Sequence, residues 1–122
     1  MASPTNSFIR KRPNNYRREP ATSYTGSADA INITRGDIHI LARSGGVNAA
    51  TLADPADGDE GRIIWIKNGE AQANTITITN GLGGVGGAYD TLTFTNVLAA
   101  NVTLRAYGSS WYIVGSHLVT AA

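Results

Sequence analysis

The chain has 122 residues, the length of one domain, with 42% hydrophobic residues, only 16% charged residues and a net charge of +1. It has no cysteine, which excludes disulfides, thiolate metal centres and cysteine nucleophiles. No apolar run approaches the roughly 18 residues of a membrane span, and nothing after Met1 reads as a signal peptide, so a soluble protein made in the cytoplasm is expected.

The charge is divided unevenly. Residues 1–27 carry Arg10, Lys11, Arg12, Arg17 and Arg18 against the single acid Glu19, a net +4. Residues 28–122 carry five basic residues against eight acids, a net −3. The first segment also holds Pro4, Pro13 and Pro20, and its large apolar side chains (Phe8, Ile9, Tyr16 and Tyr24) follow neither a period of two nor one of 3.6. It has too little surface to bury to offset the entropy of ordering. The division predicts a basic extended arm over 1–27 and a folded body over 28–122.

Within the body, Ile31 and Ile33 alternate with Asn32 and Thr34, and Arg35-Gly36-Asp37 then reads as a tight turn into a strand over 38–42. A short strand over 49–52 follows the turn Ser44-Gly45-Gly46. The acidic loop 54–61 leads into Arg62–Lys67, apolar on both faces and so placed centrally. Asn68-Gly69 marks a turn, and Thr75–Thr79 alternates strictly, as a half-buried strand does. Beyond the glycines of 81–87 come Thr91–Thr95 and Val102–Tyr107, then Gly108-Ser109-Ser110 and Trp111–Val114. About eight short strands and no helix longer than a turn predict an all-β fold, a small antiparallel sandwich or jelly-roll-like domain.

Few residues offer chemistry. Gly81, Gly83 and Gly86 spell G-x-G-x-x-G, but a strand rather than a helix follows, so no helix N-terminus is there to hold a pyrophosphate. Asp54, Asp57, Asp59 and Glu60 are clustered carboxylates of the kind Ca²⁺ takes, without the spacing of an EF-hand; a solvated turn explains them. Arg35-Gly36-Asp37 needs no receptor, and the Asn-x-Thr triplets at Asn32 and Asn101 are ordinary strand residues where no secretion signal precedes them. His39 and His117 are the only side chains suited to act as neutral-pH bases, and neither has a nucleophile and an orienting group beside it in the sequence. No enzyme, cofactor or metal is expected.

The arm has two readings. Arg10-Lys11-Arg12 and Arg17-Arg18 around Tyr16 suit phosphates and a stacked base. They equally suit an acidic protein surface, through main-chain hydrogen bonds and Arg–carboxylate pairs. Five charges ahead of an acidic body favour the protein surface over nucleic acid, with Phe8 and Tyr16 as apolar contacts.

Four stretches resemble β-domains of tailed-bacteriophage virion proteins, the capsid cement or decoration proteins, head fibres and tail-fibre modules. Arg62–Asn68 is similar to the G-R-x-(V/I)-x-I-K-(N/D) strand of that family, and Ala73–Thr79 to the N-x-(I/V)-T-(I/V) strand after it. Tyr89–Phe94 stands where a Y-x-L element falls, and Gly108–Val114 resembles the closing W-Y-(V/I)-(I/V) strand. The resemblance covers residues 30–115. It implies a non-enzymatic virion protein, a trimer, with no catalytic residues to carry over. The leading basic arm favours a capsid decoration protein that binds the major capsid protein or another virion protein at the particle surface. A short tail fibre or spike that binds host glycan through residues such as Tyr89 or Tyr107 is the alternative, and a free carbohydrate-binding domain a third. Trp65 and Trp111 each lie in an apolar run that needs cover on both faces, so each run is expected to bring a residue to a neighbouring subunit or a second sheet.

Overall fold

The structure, a computed structural model, describes residues 21–84 and 89–122. The arm residues Phe8, Arg10, Lys11, Arg12, Tyr16, Arg17 and Arg18 lie outside the described residues. Among those described, nine strands form two sheets: β1 (Thr22–Tyr24), β2 (Ile38–Leu41), β3 (Ala49–Leu52), β4 (Ile63–Asn68), β5 (Thr75–Ile78), β6 (Thr91–Phe94), β7 (Asn101–Tyr107), β8 (Ser110–His117) and β9 (Val119–Ala121). One sheet runs β1-β2-β4-β7-β8 and the other β3-β5-β6-β9.

Strict alternation builds both sheets. In β4, Ile64, Ile66 and Asn68 are buried while Ile63 and Trp65 face out. In β5 and β6, Ile76, Ile78, Leu92 and Phe94 point inward and Thr77 and Thr93 outward. The inward residues of both sheets, with Leu41, Leu52, Val102, Leu104 and Trp111, make one continuous core. Each such side chain contributes about 1.5–3 kcal/mol on leaving water. The fold is the expected all-β sandwich.

The pairing departs from an antiparallel meander. β1 with β2, β2 with β4 and β3 with β5 are parallel. Parallel neighbours need a crossover, which in most proteins is a helix. Between β2 and β4, and between β3 and β5, a strand of the opposite sheet takes that place, while β1 reaches β2 through a 3-10 turn and a single bridge from Ala30 to Thr51 of β3. The chain passes β2, β3, β4, β5 alternately between the sheets, so each return enters its sheet in the earlier direction. The sheets are mixed for that reason.

Three local expectations are corrected. Thr22–Tyr24, within the segment assigned to the arm, pairs with β2, and the Tyr24 ring belongs to the core. Ile33–Arg35 is a single 3-10 turn, because the Asn32 side chain accepts from the Thr34 amide and Gly36 at φ 122 ends the turn, so no hairpin forms at Arg35–Asp37. His117 ends β8 instead of trailing it, and after Leu118 at φ 58 the chain crosses to the second sheet as β9.

Candidate functional site

Three places on the body carry polar or exposed apolar groups that packing alone does not explain. The first is the outer face of the five-stranded sheet. β4 is its central strand, and Ile63 and Trp65 are 50% and 37% exposed there. Register sets Ile38 and Thr103 on either side of Trp65, with Gly115 beyond Thr103, and Arg105 beside Ile63. The indole is oriented by its Nε1–H donating to Asn101 Oδ1 at 3.2 Å. The side chains that register places on this face include the cations Lys67 and Arg105 and no carboxylate. Trp111 is different: it is fully buried, and its Nε1–H donates to the Ala53 carbonyl at 2.9 Å. Each apolar run turns residues outward, Ile63 and Trp65 in one and Ile113 and Val114 in the other, while Trp111 itself lies in the core.

The second place is a pocket of about 330 Å³ where β8 and β9 leave the sandwich open, lined by Leu82, Gly83, Gly84, Tyr89, Tyr112, Ile113 and Ala121. Gly83 is required there, because a Cβ would stand 2.4 Å from the Tyr112 ring. Tyr107 packs edge-on against Tyr112, ring centroids 5.9 Å apart. Tyr89 and Tyr107, read from sequence as candidates for sugar stacking, are both exposed at this end.

The third is buried and polar. His39 has no exposed surface; its Nδ1 lies 2.8 Å from the Tyr24 hydroxyl and its Nε2 3.0 Å from the Gly36 carbonyl. The same Gly36 carbonyl accepts from Arg62, which also donates to Asp37 at 2.9 Å, to Asp59 at 3.5 Å and to the Ile33 carbonyl. The Asp37 carboxylate holds the Arg62 guanidinium above its usual pKa. His39 is thus a core residue without access to a substrate.

The acidic loop does not converge on a point. Asp54 accepts from Asn80, Asp59 from the Ala56 amide and from Arg62, and Glu60 from the Gly108 amide. No group of three metal-ligating side chains occurs among the described residues. The glycine-rich stretch runs between β5 and β6, as expected, with Gly81 and Gly84 in left-handed turns. No helix of the described residues is long and apolar enough to cross a membrane.

A chain of buried amides was not anticipated. Asn74 Oδ1 accepts from the Asn48 amide at 2.7 Å, and Asn74 Nδ2 donates to Asn68 Oδ1 at 2.9 Å. Asn68 Nδ2 faces the carbonyls of Gln72, Thr95 and Val97. Of the three, the sequence reads Asn68 as a turn former and Asn74 as the start of a strand. Their role is to satisfy main-chain groups where loops dive between the sheets.

No protein-family model matches this chain, and no curated protein does.

Proposed function

We propose that the chain is a structural virion protein of a tailed bacteriophage, a capsid decoration protein that binds the assembled shell through its basic N-terminal segment and associates, as a trimer, through its body. The observation that carries the reading is the outer face of the five-stranded sheet. A sandwich closed on one core still presents Ile63 and an oriented Trp65 at the centre of its larger sheet. An exposed apolar patch at that position supports the reading of this face as a contact surface. The four virion-like motifs and the concentration of five basic residues before Glu19 add to it. Binding only to the assembled shell would stabilise it by mass action, and catalysis has no part in that role.

The experiment is a deletion that the fold limits to residues 1–20, since Thr22–Tyr24 is a strand of the body. Particles assembled without the protein are incubated with the full chain or the deletion, then assayed for occupancy and heat resistance. The full chain is expected to bind and protect, and the deletion to stay folded and unbound. Equal occupancy by both would overturn the role of the segment.

A second reading has its own observation. The pocket walled by Tyr89 and Tyr112, with Tyr107 against Tyr112, has the size and aromatic surface for one sugar ring, which favours a short tail fibre or spike that binds host glycan. Saturable binding of a glycan that Tyr112→Ala abolishes, in a protein present at few copies per particle, would replace the first reading with this one.

A further inference from the structure

For a neutral imidazole the hydrogen bonds around His39 admit one arrangement of protons. The Gly36 carbonyl only accepts, so His39 Nε2 carries the hydrogen and Nδ1 the lone pair. The Tyr24 hydroxyl must then donate to Nδ1, and its oxygen accepts the Asn32 amide at 3.0 Å. No buried side-chain polar atom of the described residues lacks a partner. One added proton breaks this closed set. A hydrogen on Nδ1 would displace the phenol O–H, whose oxygen has no other partner among the described residues than the Asn32 amide, a donor, and would place a cation in the core beside Arg62.

We propose that the Tyr24–His39 pair is an acid-operated latch: protonation of His39 opens β1 from the edge of the five-stranded sheet, at the point where residues 1–20 join the body. β1 is the element that gives way. It has three residues, one neighbouring strand among the described residues and one core side chain, Tyr24; beyond that ladder it has the Ala42 amide and the more distant Asn48 side chain on the Tyr24 carbonyl, at 2.9 and 3.5 Å, and the Thr22 hydroxyl on the Arg35 carbonyl at 3.5 Å. Edge strands held by so little open locally without global unfolding.

The surrounding charges set the direction. Burial holds the imidazole below its usual pKa and Arg62 of β4 adds to the depression, while the Gly36 carbonyl and Asp37 act against it. Asp37 is itself bound by Arg62, which Asp59 also faces, so its pull is offset. Arg35 and Asp29 face Tyr24 with opposite effects, and burial raises its phenol pKa, so Tyr24 stays protonated through the range concerned. The open state takes the proton at the ordinary histidine pKa of about 6.5 and the closed state does not. Below that pH the opening constant therefore rises by about tenfold per pH unit until the closed-state pKa is reached.

The latch concerns the body alone and holds whatever residues 1–20 bind. Its test is amide hydrogen exchange on the full chain from pH 7.5 to 5, above the carboxylate range, corrected for intrinsic chemistry. The Asn32 and Ala42 amides report β1, and the Asn68 amide, bonded to the Ala100 carbonyl at 3.0 Å, is the control. Protection at Asn32 and Ala42 is expected to fall about tenfold per pH unit below 6.5 while Asn68 is unchanged. His39→Phe is expected to abolish the slope. Should that variant not fold, ¹⁵N spectra of the wild-type ring decide: the Nε2–H tautomer at pH 7.5 and protonation coincident with β1 opening uphold the latch. A ring that titrates near 6.5 with β1 protection intact overturns it, as does the same slope at Asn68.

Discussion

Asparagine is the residue type whose role here runs most against its usual meaning. Ten occur in the chain, and among the described residues three, Asn48, Asn68 and Asn74, are fully buried. A buried amide is tolerable only if its donors and acceptors are all used, because a stranded group costs about 1–3 kcal/mol. Asn68 is the hub: its oxygen receives Asn74 and its nitrogen serves the loop carbonyls of Thr95 and Val97. Asn68→Leu keeps similar bulk but leaves the Asn74 donor and those carbonyls unmatched. A loss of about 3 kcal/mol or more is expected in chemical denaturation, about 1 kcal/mol at the least for each of the three groups left unmatched. A change under half a kcal/mol would mean that water replaces the side chain. Nothing in Lys67-Asn68-Gly69 itself distinguishes this hub from a hairpin turn, since its partners lie 4 to 29 residues away.

At the scale of elements, legibility followed the length of the alternating run. Thr75–Ile78 and Thr91–Phe94 were readable because Thr and apolar residues alternate without a break. β1 and β9, at three residues each, are too short to show a period and form only because β2 and β6 offer them an open edge. Parallel pairing was not legible, because it depends on which sheet the intervening strand joins. Both apolar runs were readable as needing cover on two faces, but not which residue of each faces out: Trp65 does, and Trp111 lies in the core. Its indole fills the sandwich because the bridge from Leu82 and the Ala53 carbonyl close over it. The glycine loop before β6 shows the same dependence on a distant partner. Gly83 lies under the Tyr112 ring, and Gly83→Ala would force that ring or β8 to move. The expected cost is about 1–3 kcal/mol, the range for overpacking. In a Tyr112→Ala background the same change should cost little, so a double-mutant cycle measures the clash directly. Equal costs in both backgrounds would place the strain in the Gly83 backbone instead.

For the whole molecule, the two tryptophans separate folding from association. Trp111→Ala empties the centre of a small core, a loss of about 3–5 kcal/mol for a buried aromatic. Domains of this size have about 5–15 kcal/mol in total, so this variant is expected to be marginally folded at any concentration. Trp65 leaves no cavity when removed, because 37% of it is already in solvent. Its loss takes only one hydrogen bond to Asn101 and the contact surface around Ile38 and Ile63. If that surface joins copies of the chain, the thermal midpoint of the wild type must rise with protein concentration, since association stabilises the folded state by mass action. Trp65→Ser should then melt cooperatively at a midpoint independent of concentration, and sediment as a monomer under conditions where the wild type sediments as a trimer. The expectation is checked by melting both proteins over about a hundredfold range of concentration, a span in which linkage is readily measured. A wild-type midpoint that does not move, with a monomer in sedimentation, would remove self-association. The Ile63–Trp65 face would then be left to contact the shell itself. A Trp65→Ser variant that fails to fold would show that the outer face contributes to the stability of the sheet and not to its partners.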